Sequence, residues 1–182
     1  MNRSIMRVVA TAMLVSGTAV AAQWGRPVAP VIPTADGYIA VPSPAVPPLK
    51  TRLYRAVFDA TRAADKPDQL VPALNMAGSE LNVLGATGVP LKNARFVVVF
   101  HGAGVEGILD NPHYRARYHV DNPNLPVIAA MKRAGVELFV CGQYLGFMNI
   151  DPATLTPDVK VATDALIVLM AYQNDGYALL SF

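Results

Sequence analysis

Phe96-Val97-Val98-Val99-Phe100-His101-Gly102 is the stretch on which the fold turns. Five consecutive apolar residues leave no polar face. Such a run reads as a strand buried on both sides, the kind found in parallel sheets. His101 and Gly102 end it. Val136 to Val140 repeats the pattern and delivers Cys141, and Tyr177 to Phe182 reads as a last strand.

Helical patterns separate these runs. Leu70, Leu74, Ala77, Leu81 and Leu84 recur at steps of four and three, which is one helix stripe. Asp65 is its expected N-cap and Pro67 its first turn, with Gly85 and Gly88 closing it. Leu125 to Ala134 predicts a second helix, stopped by Gly135. Gly142 to Phe147 predicts a short helix or turn, broken by Asp151-Pro152. Val159 to Gln173 predicts one long helix with Ala162, Ala165, Leu166, Leu169 and Tyr172 on a stripe, which leaves Asp164 facing solvent or an interface. Residues 51–63 read as a short helix or an irregular lead-in. Residues 105–123 read as a helical turn and then a polar stretch, broken at Asn111-Pro112 and Asn122-Pro123. Strands alternating with helices predict an α/β fold in three layers around a mainly parallel sheet.

The 182 residues suffice for one domain with a core. Hydrophobic residues make up 53% and charged residues 15%, which excludes general disorder. The first residues account for part of that. Arg3 and Arg7 precede an apolar run from Val8 to Val15, and Ala19-Val20-Ala21 is a small-x-small pattern. Basic, apolar and small zones in this order are the layout of a signal peptide over residues 1–21, and the apolar run is too short to span a bilayer. Its removal takes two arginines and no acid from a chain with 15 basic and 13 acidic side chains, leaving 13 against 13. A neutral domain offers no long-range attraction for nucleic acid, which is excluded as a partner.

Residues 22–50 hold seven of the fifteen prolines, from Pro27 to Pro48. They predict an extended tether or an arm that finds a surface, with Trp24, Tyr38 and Ile39 as the contacts. Residues 51–182 form the single folded domain.

Cys141 is the one cysteine, so an intrachain disulfide is excluded. The thiol is buried and inert, free and reactive, or bonded to another chain. Its place at a strand's carboxyl end is where α/β sheets put ligands, and a helix start after it favours a thiolate. Adjacent parallel strands bring His101 to the same edge, as a thiol partner or as a structural histidine. Tyr144 and Phe147 flank the cysteine as pocket wall or packing. Gly102, Gly104 and Gly107 spell G-x-G-x-x-G after a strand, with Asp121 further on, which is literally the dinucleotide fingerprint. No clear helix follows, and the plainer reading is a tight turn bordering a site. His101, His113 and His119 match no zinc spacing, so no metal is expected.

Several of these pieces, in this order, resemble the DsrE/DsrF-like family. They are Leu74 to Leu84 with Asn82-x-x-Gly85, Phe96 to Gly102, Asn122-Pro123-Asn124-Leu125, Ala134-Gly135-Val136-Glu137, Cys141-Gly142-Gln143 and Gly176-Tyr177-Ala178. The resemblance covers about residues 65–182. It implies flavodoxin-like layering, assembly as a dimer, trimer or hexamer, and a cysteine that carries sulfur as a persulfide between donor and acceptor proteins. Cys141 inherits the carrier role. His101 inherits only its place in the strand-end pattern; the shared sheet edge is what offers it as a thiol partner, with Gly102, Gly104, Gly142, Gln143 and Tyr144 expected to form the pocket. Met148 stands where relatives commonly carry a basic residue. The resulting expectation is a periplasmic, sulfurtransferase-like sulfur carrier without a cofactor. The alternative is a non-catalytic oligomeric binding module with a buried cysteine; a nucleotide- or flavin-binding protein is a third reading.

Export makes a direct prediction. Protein recovered from the periplasm has an intact mass lacking residues 1–21. A full-length mass there removes the signal-peptide reading.

Overall fold

The computed structural model describes residues 24–182, so the predicted signal peptide lies outside the described residues. Five strands form one parallel sheet: β1 (Tyr54–Ala60), β2 (Ala94–Phe100), β3 (Glu137–Cys141), β4 (Lys160–Ala162) and β5 (Ala178–Ser181). Their order is β4-β3-β2-β1-β5, and every neighbouring pair is parallel. The helices are α1 (Pro72–Ala86), α2 (Asn111–Tyr118), α3 (Asn124–Arg133), α4 (Gly142–Phe147) and α5 (Ala165–Asn174). The three-layer α/β architecture expected from the sequence is present. α1 and α3 pack with the larger core on one face, and α5 crosses β1, β2, β3 and β5 on the other.

Val97 to Phe100 are fully buried, as a central parallel strand requires. The lead-in over residues 51–63 is no helix. Tyr54–Ala60 is strand β1, lying between β2 and β5. Ala56, Phe58 and Ala60 face the larger core and Val57 the smaller one, which is the alternation of a strand.

Two helix starts also differ from expectation. α1 begins at Pro72, because a helix already running from Pro67 would carry Pro72 in its interior, without an N–H and against the preceding turn. The single helix over 159–173 is two elements. Val161 lies in β4, then Asp164 caps α5, its carboxylate accepting the Leu166 N–H at 2.6 Å. The polar stretch after residue 105 contains α2. Asn111-Pro112 starts this helix rather than breaking one, with Asp110 accepting the His113 N–H.

Part of the proline-rich segment lies on α1. Val28 and Tyr38 bridge to each other, and Ile32 between them is fully buried. Gly78, Asn82 and Gly85 are the seat, spaced along one helix face. A Cβ on Gly78 would stand 2.5 Å from Ala35 Cβ, and one on Gly85 2.5 Å from Val31 Cγ2. Asn82 sits between them, fully buried. Its Oδ1 accepts the Val31 and Ile32 N–H groups, and its Nδ2 donates to the Ile32 and Asp36 carbonyls.

Replacing Asn82 therefore removes a partner from four backbone groups at once, of which, among the described residues, only the Ile32 carbonyl keeps another, the Ala35 N–H. Asn82→Ala lowers unfolding stability by about 2–4 kcal/mol, on the scale of leaving buried polar groups unpaired. Denaturant midpoints check this. A loss under ~0.5 kcal/mol would show that the clamp is not stabilising.

Candidate functional site

All strands run the same way, so the turns after β1, β2, β3 and β4 open on one edge of the sheet. Cys141 ends β3 there and caps α4. Its Sγ accepts the Tyr144 N–H at 3.4 Å. The thiol is free and buried, with 6% of the residue exposed, and packs in the smaller core with Val97, Val99, Ala165 and Leu169.

The sharp exit from β3 depends on Gly142. A Cβ there would lie 2.6 Å from the Ala162 carbonyl oxygen of β4. Any side chain would push the first turn of α4, and with it the Tyr144 amide, off the sulfur.

His101 follows β2 in extended conformation, with φ −154° and ψ 175°. Strand alternation continues through it, so its ring falls on the face of Val97 and Val99, the face of Cys141. Phe100 pairs with Val140 in register, and one step further stand His101 and Cys141. No hydrogen bond joins them; His101 Nε2 instead meets Asp59 Oδ1 of β1 at 2.6 Å. Sequence reading missed Asp59, because β1 itself was missed. The available signal was an acid inside an apolar alternating run.

The three glycines after His101 are accounted for by their own chain. Gly102 has φ +56° with Thr61 O at 3.2 Å from its would-be Cβ. The corresponding distances are 2.1 Å from Gly104 to Ala60 O and 2.3 Å from Gly107 to Val71 Cγ2. Gly102–Ile108 is a 3₁₀ turn, so the α-helix that the dinucleotide fingerprint needs directly after its strand is missing. Asp121 pairs with Arg115. His113 pairs with Asp110 at 2.6 Å, and His119 ends α2 with φ +62°. Among the described residues no cluster of three or more His, Cys, Asp or Glu could hold a metal ion.

Four of the expected pocket residues divide between two places, and Gly104 lies in neither. Gly102 and Tyr144 line a cavity of about 250 Å³ with Val105, Leu109, Met148, Ile150 and the Arg117–Glu106 ion pair. Tyr118 hydrogen-bonds to that Glu106, and burial first, then Glu106, pushes its phenol up to about 12. Gly142 and Gln143 line a separate recess with Gly146 and Phe147, and Gly104 is buried against β1. Neither space is lined by Cys141 or His101. A cavity of about 430 Å³ between α1 and β5 lies on the opposite sheet face, lined by Phe58, Leu180 and Phe182. Glu80 also lines it, its carboxyl pushed up by burial.

Comparison with known proteins gives the same picture from outside. A model of the DsrE/DsrF-like family matches residues 54–182. Among solved structures, MTH1491 of Methanobacterium thermoautotrophicum, a protein of unknown function, superposes with a TM-score of 0.52 at 19% identity. The ychN protein of E. coli does so with a TM-score of 0.52 at 16% identity. Each match covers 71% of this chain and 99% of the other. These identities establish a shared fold. Among curated proteins none matches the chain.

Proposed function

Because the chain belongs to the DsrE/DsrF-like family, we propose that it handles sulfane sulfur, with Cys141 as the carrier. The observation that carries this reading is the seat of the thiol. Its sulfur accepts the Tyr144 amide at 3.4 Å on the carboxyl edge of a parallel sheet, where Cys141 and His101 each follow the paired residues Val140 and Phe100. That amide is a ready donor to an anionic sulfur, and the anion is the reactive form of both a thiol and a persulfide.

The step is a sulfur transfer without change of overall oxidation level. Cys141 sulfur attacks the outer sulfur of a persulfide donor, R–S–SH. The donor's S–S bond breaks, and R–S leaves with the bonding pair and gains the proton lost by Cys141. Cys141 keeps the outer sulfur as Cys–S–SH, and the donor departs as R–SH. The reverse reaction hands the sulfur to an acceptor thiol. The proposed compartment is the periplasm, on the pattern of residues 1–21.

A second reading is favoured by one observation, the 6% exposure of Cys141. In it, the domain is a binding module and the cysteine is a small buried hydrophobe. The proposed assembly suits either reading. α5 carries no charged side chain from Ala165 to Asn174, yet Leu166, Ile167 and Met170 are half exposed or more. A helix apolar all round belongs in an interior, and a second copy of the chain supplies one.

Two measurements test these statements. Incubated with a polysulfide, the protein gains the mass of one sulfur, removable by reductant, and Cys141→Ser gains none. Wild type without added sulfur ends the carrier reading, and labelling of Cys141 by a charged thiol reagent only after denaturation then supports the binding module. In sedimentation velocity, wild type runs as an oligomer and Ile167→Lys as a folded monomer. A wild-type monomer overturns the α5 interface.

A further inference from the structure

Resting on that sulfur-handling reading, we propose that Asp59, His101 and Cys141 act as one unit: His101 takes the thiol proton, and Asp59 is the positioning residue that fixes His101 for it. The three come from neighbouring strands. β2 lies between β1 and β3, so His101 at its end has Asp59 on one flank and Cys141 on the other. All three side chains belong to the sheet face covered by α5, given the alternation of Val57, Val97 and Val99 with the residues of the larger core.

The His101–Asp59 contact sets the tautomer. An ionised carboxylate only accepts hydrogen bonds. With Asp59 Oδ1 at 2.6 Å from Nε2, the proton of a neutral ring resides on Nε2, and Nδ1 is left as the basic nitrogen. Parallel strands stand about 4.8 Å apart, and His101 and Cys141 each directly follow the last paired residues, Phe100 and Val140, which puts them within side-chain reach of one another. This is the logic of a nucleophile, a base and a third group that orients the base.

Asp59 is an expensive choice for a purely structural position. It is flanked by Phe58 and Ala60, both fully buried, and its own side chain is 16% exposed. Desolvating a carboxylate there costs free energy that an apolar residue would not, and the compensation is one strong bond to His101. Other titratable groups near the face are engaged elsewhere or further off. Lys160 of β4 lies over the Phe139 ring, Tyr172 of α5 donates to Glu137 at the start of β3, and Asp164 caps α5. Tyr177 packs edge-on against Tyr172, and Tyr144 turns its backbone, through N–H, to the sulfur.

In the transfer, the Cys141 S–H proton moves to His101 Nδ1, leaving a thiolate and an imidazolium held by Asp59. The thiolate takes the donor's outer sulfur, and the imidazolium returns the proton to the departing R–S⁻. Atoms, charge and electrons balance, with a persulfide as the only co-reactant.

The test is the rate at which iodoacetamide alkylates Cys141 in the native protein, from about pH 5 to about pH 10, where histidine and cysteine titrate. Relative to wild type, Asp59→Asn and His101→Gln each slow labelling at neutral pH about tenfold or more, and both approach wild type at alkaline pH, where the thiol ionises unaided. The double variant is no slower than His101→Gln alone. Profiles that coincide with wild type, rise through loosened packing, or fall equally at every pH overturn the unit. A second measurement leaves Asp59 and His101 intact. The ¹⁵N titration of the His101 ring shifts its midpoint between wild type and Cys141→Ser if the groups are coupled, and does not if they are independent. Polysulfide loading separates the two levels: sulfur taken up by wild type with unaltered alkylation profiles removes the unit but keeps the carrier, whereas no uptake removes the carrier.

Discussion

Parallel direction is the constraint from which the rest of this molecule follows. With five strands pointing one way, each must be re-entered by a crossover, and every strand-to-helix turn falls on one edge. That edge is crowded. The Gly104 backbone is pressed onto the Ala60 carbonyl, and the Gly142 backbone onto the Ala162 carbonyl. The turns after β2 and β3 are thereby pinned against neighbouring strands. His101 and Cys141 inherit their positions from backbone contacts that no other residue type would permit.

The two faces of the sheet are built to different depths. α1, α3 and part of the proline-rich segment stack on one side, with Asn82 tying that segment down. On the other side a smaller core lies under α5, with Tyr144 of α4 at its margin. α4 has six residues and buries only Leu145. Elements with few buried apolar contacts open at low free-energy cost without global unfolding. The Tyr144 side of the packing around Cys141 therefore belongs to a thinly buried element, while Ala165 and Leu169 of α5 supply the rest.

How far the sequence was legible follows the same division. β2 and β3 announce themselves, because strands buried on both faces are continuous apolar runs. β1 is equally central but carries Arg55 and Asp59 among Ala56, Val57 and Phe58, and these charges hid it. Asp59 was missed for that reason, although an acid inside such a strand is the mark of a local partner. α1 was read with the right stripe from Leu74 and the wrong start; in α5 Ala165, Leu169 and Tyr172 face the core, whereas Leu166 is exposed and Ala162 belongs to β4. In α1 the rule that proline is tolerated only in the first turn points to Pro72 over Pro67. In α5 the alternation Val159-x-Val161-x-Thr163 before Asp164 spells a strand and a cap, but apolar residues on both sides concealed the junction. The glycine fingerprint shows the converse: each of its three glycines answers to a close approach within the chain.

The choice of cysteine at the head of α4 is itself informative. Where another side chain caps a helix start among the described residues it is an aspartate, at Asp110, Asp151 and Asp164, each accepting a backbone N–H at 2.6–2.9 Å. Oxygen is the better acceptor, and serine or threonine would cap α4 at lower cost in lost hydrogen-bond strength than a thiol at 3.4 Å. An apolar setting explains the avoidance of aspartate, since a charge would be stranded among Val97, Val99 and Leu169. It also favours sulfur over a hydroxyl, because the amide would satisfy serine only as an acceptor and leave its O–H among apolar side chains, whereas a thiol is buried there at little cost. The same fold sets this thiol on the sheet edge where the ring nitrogen of His101 is held by Asp59 from within the sheet.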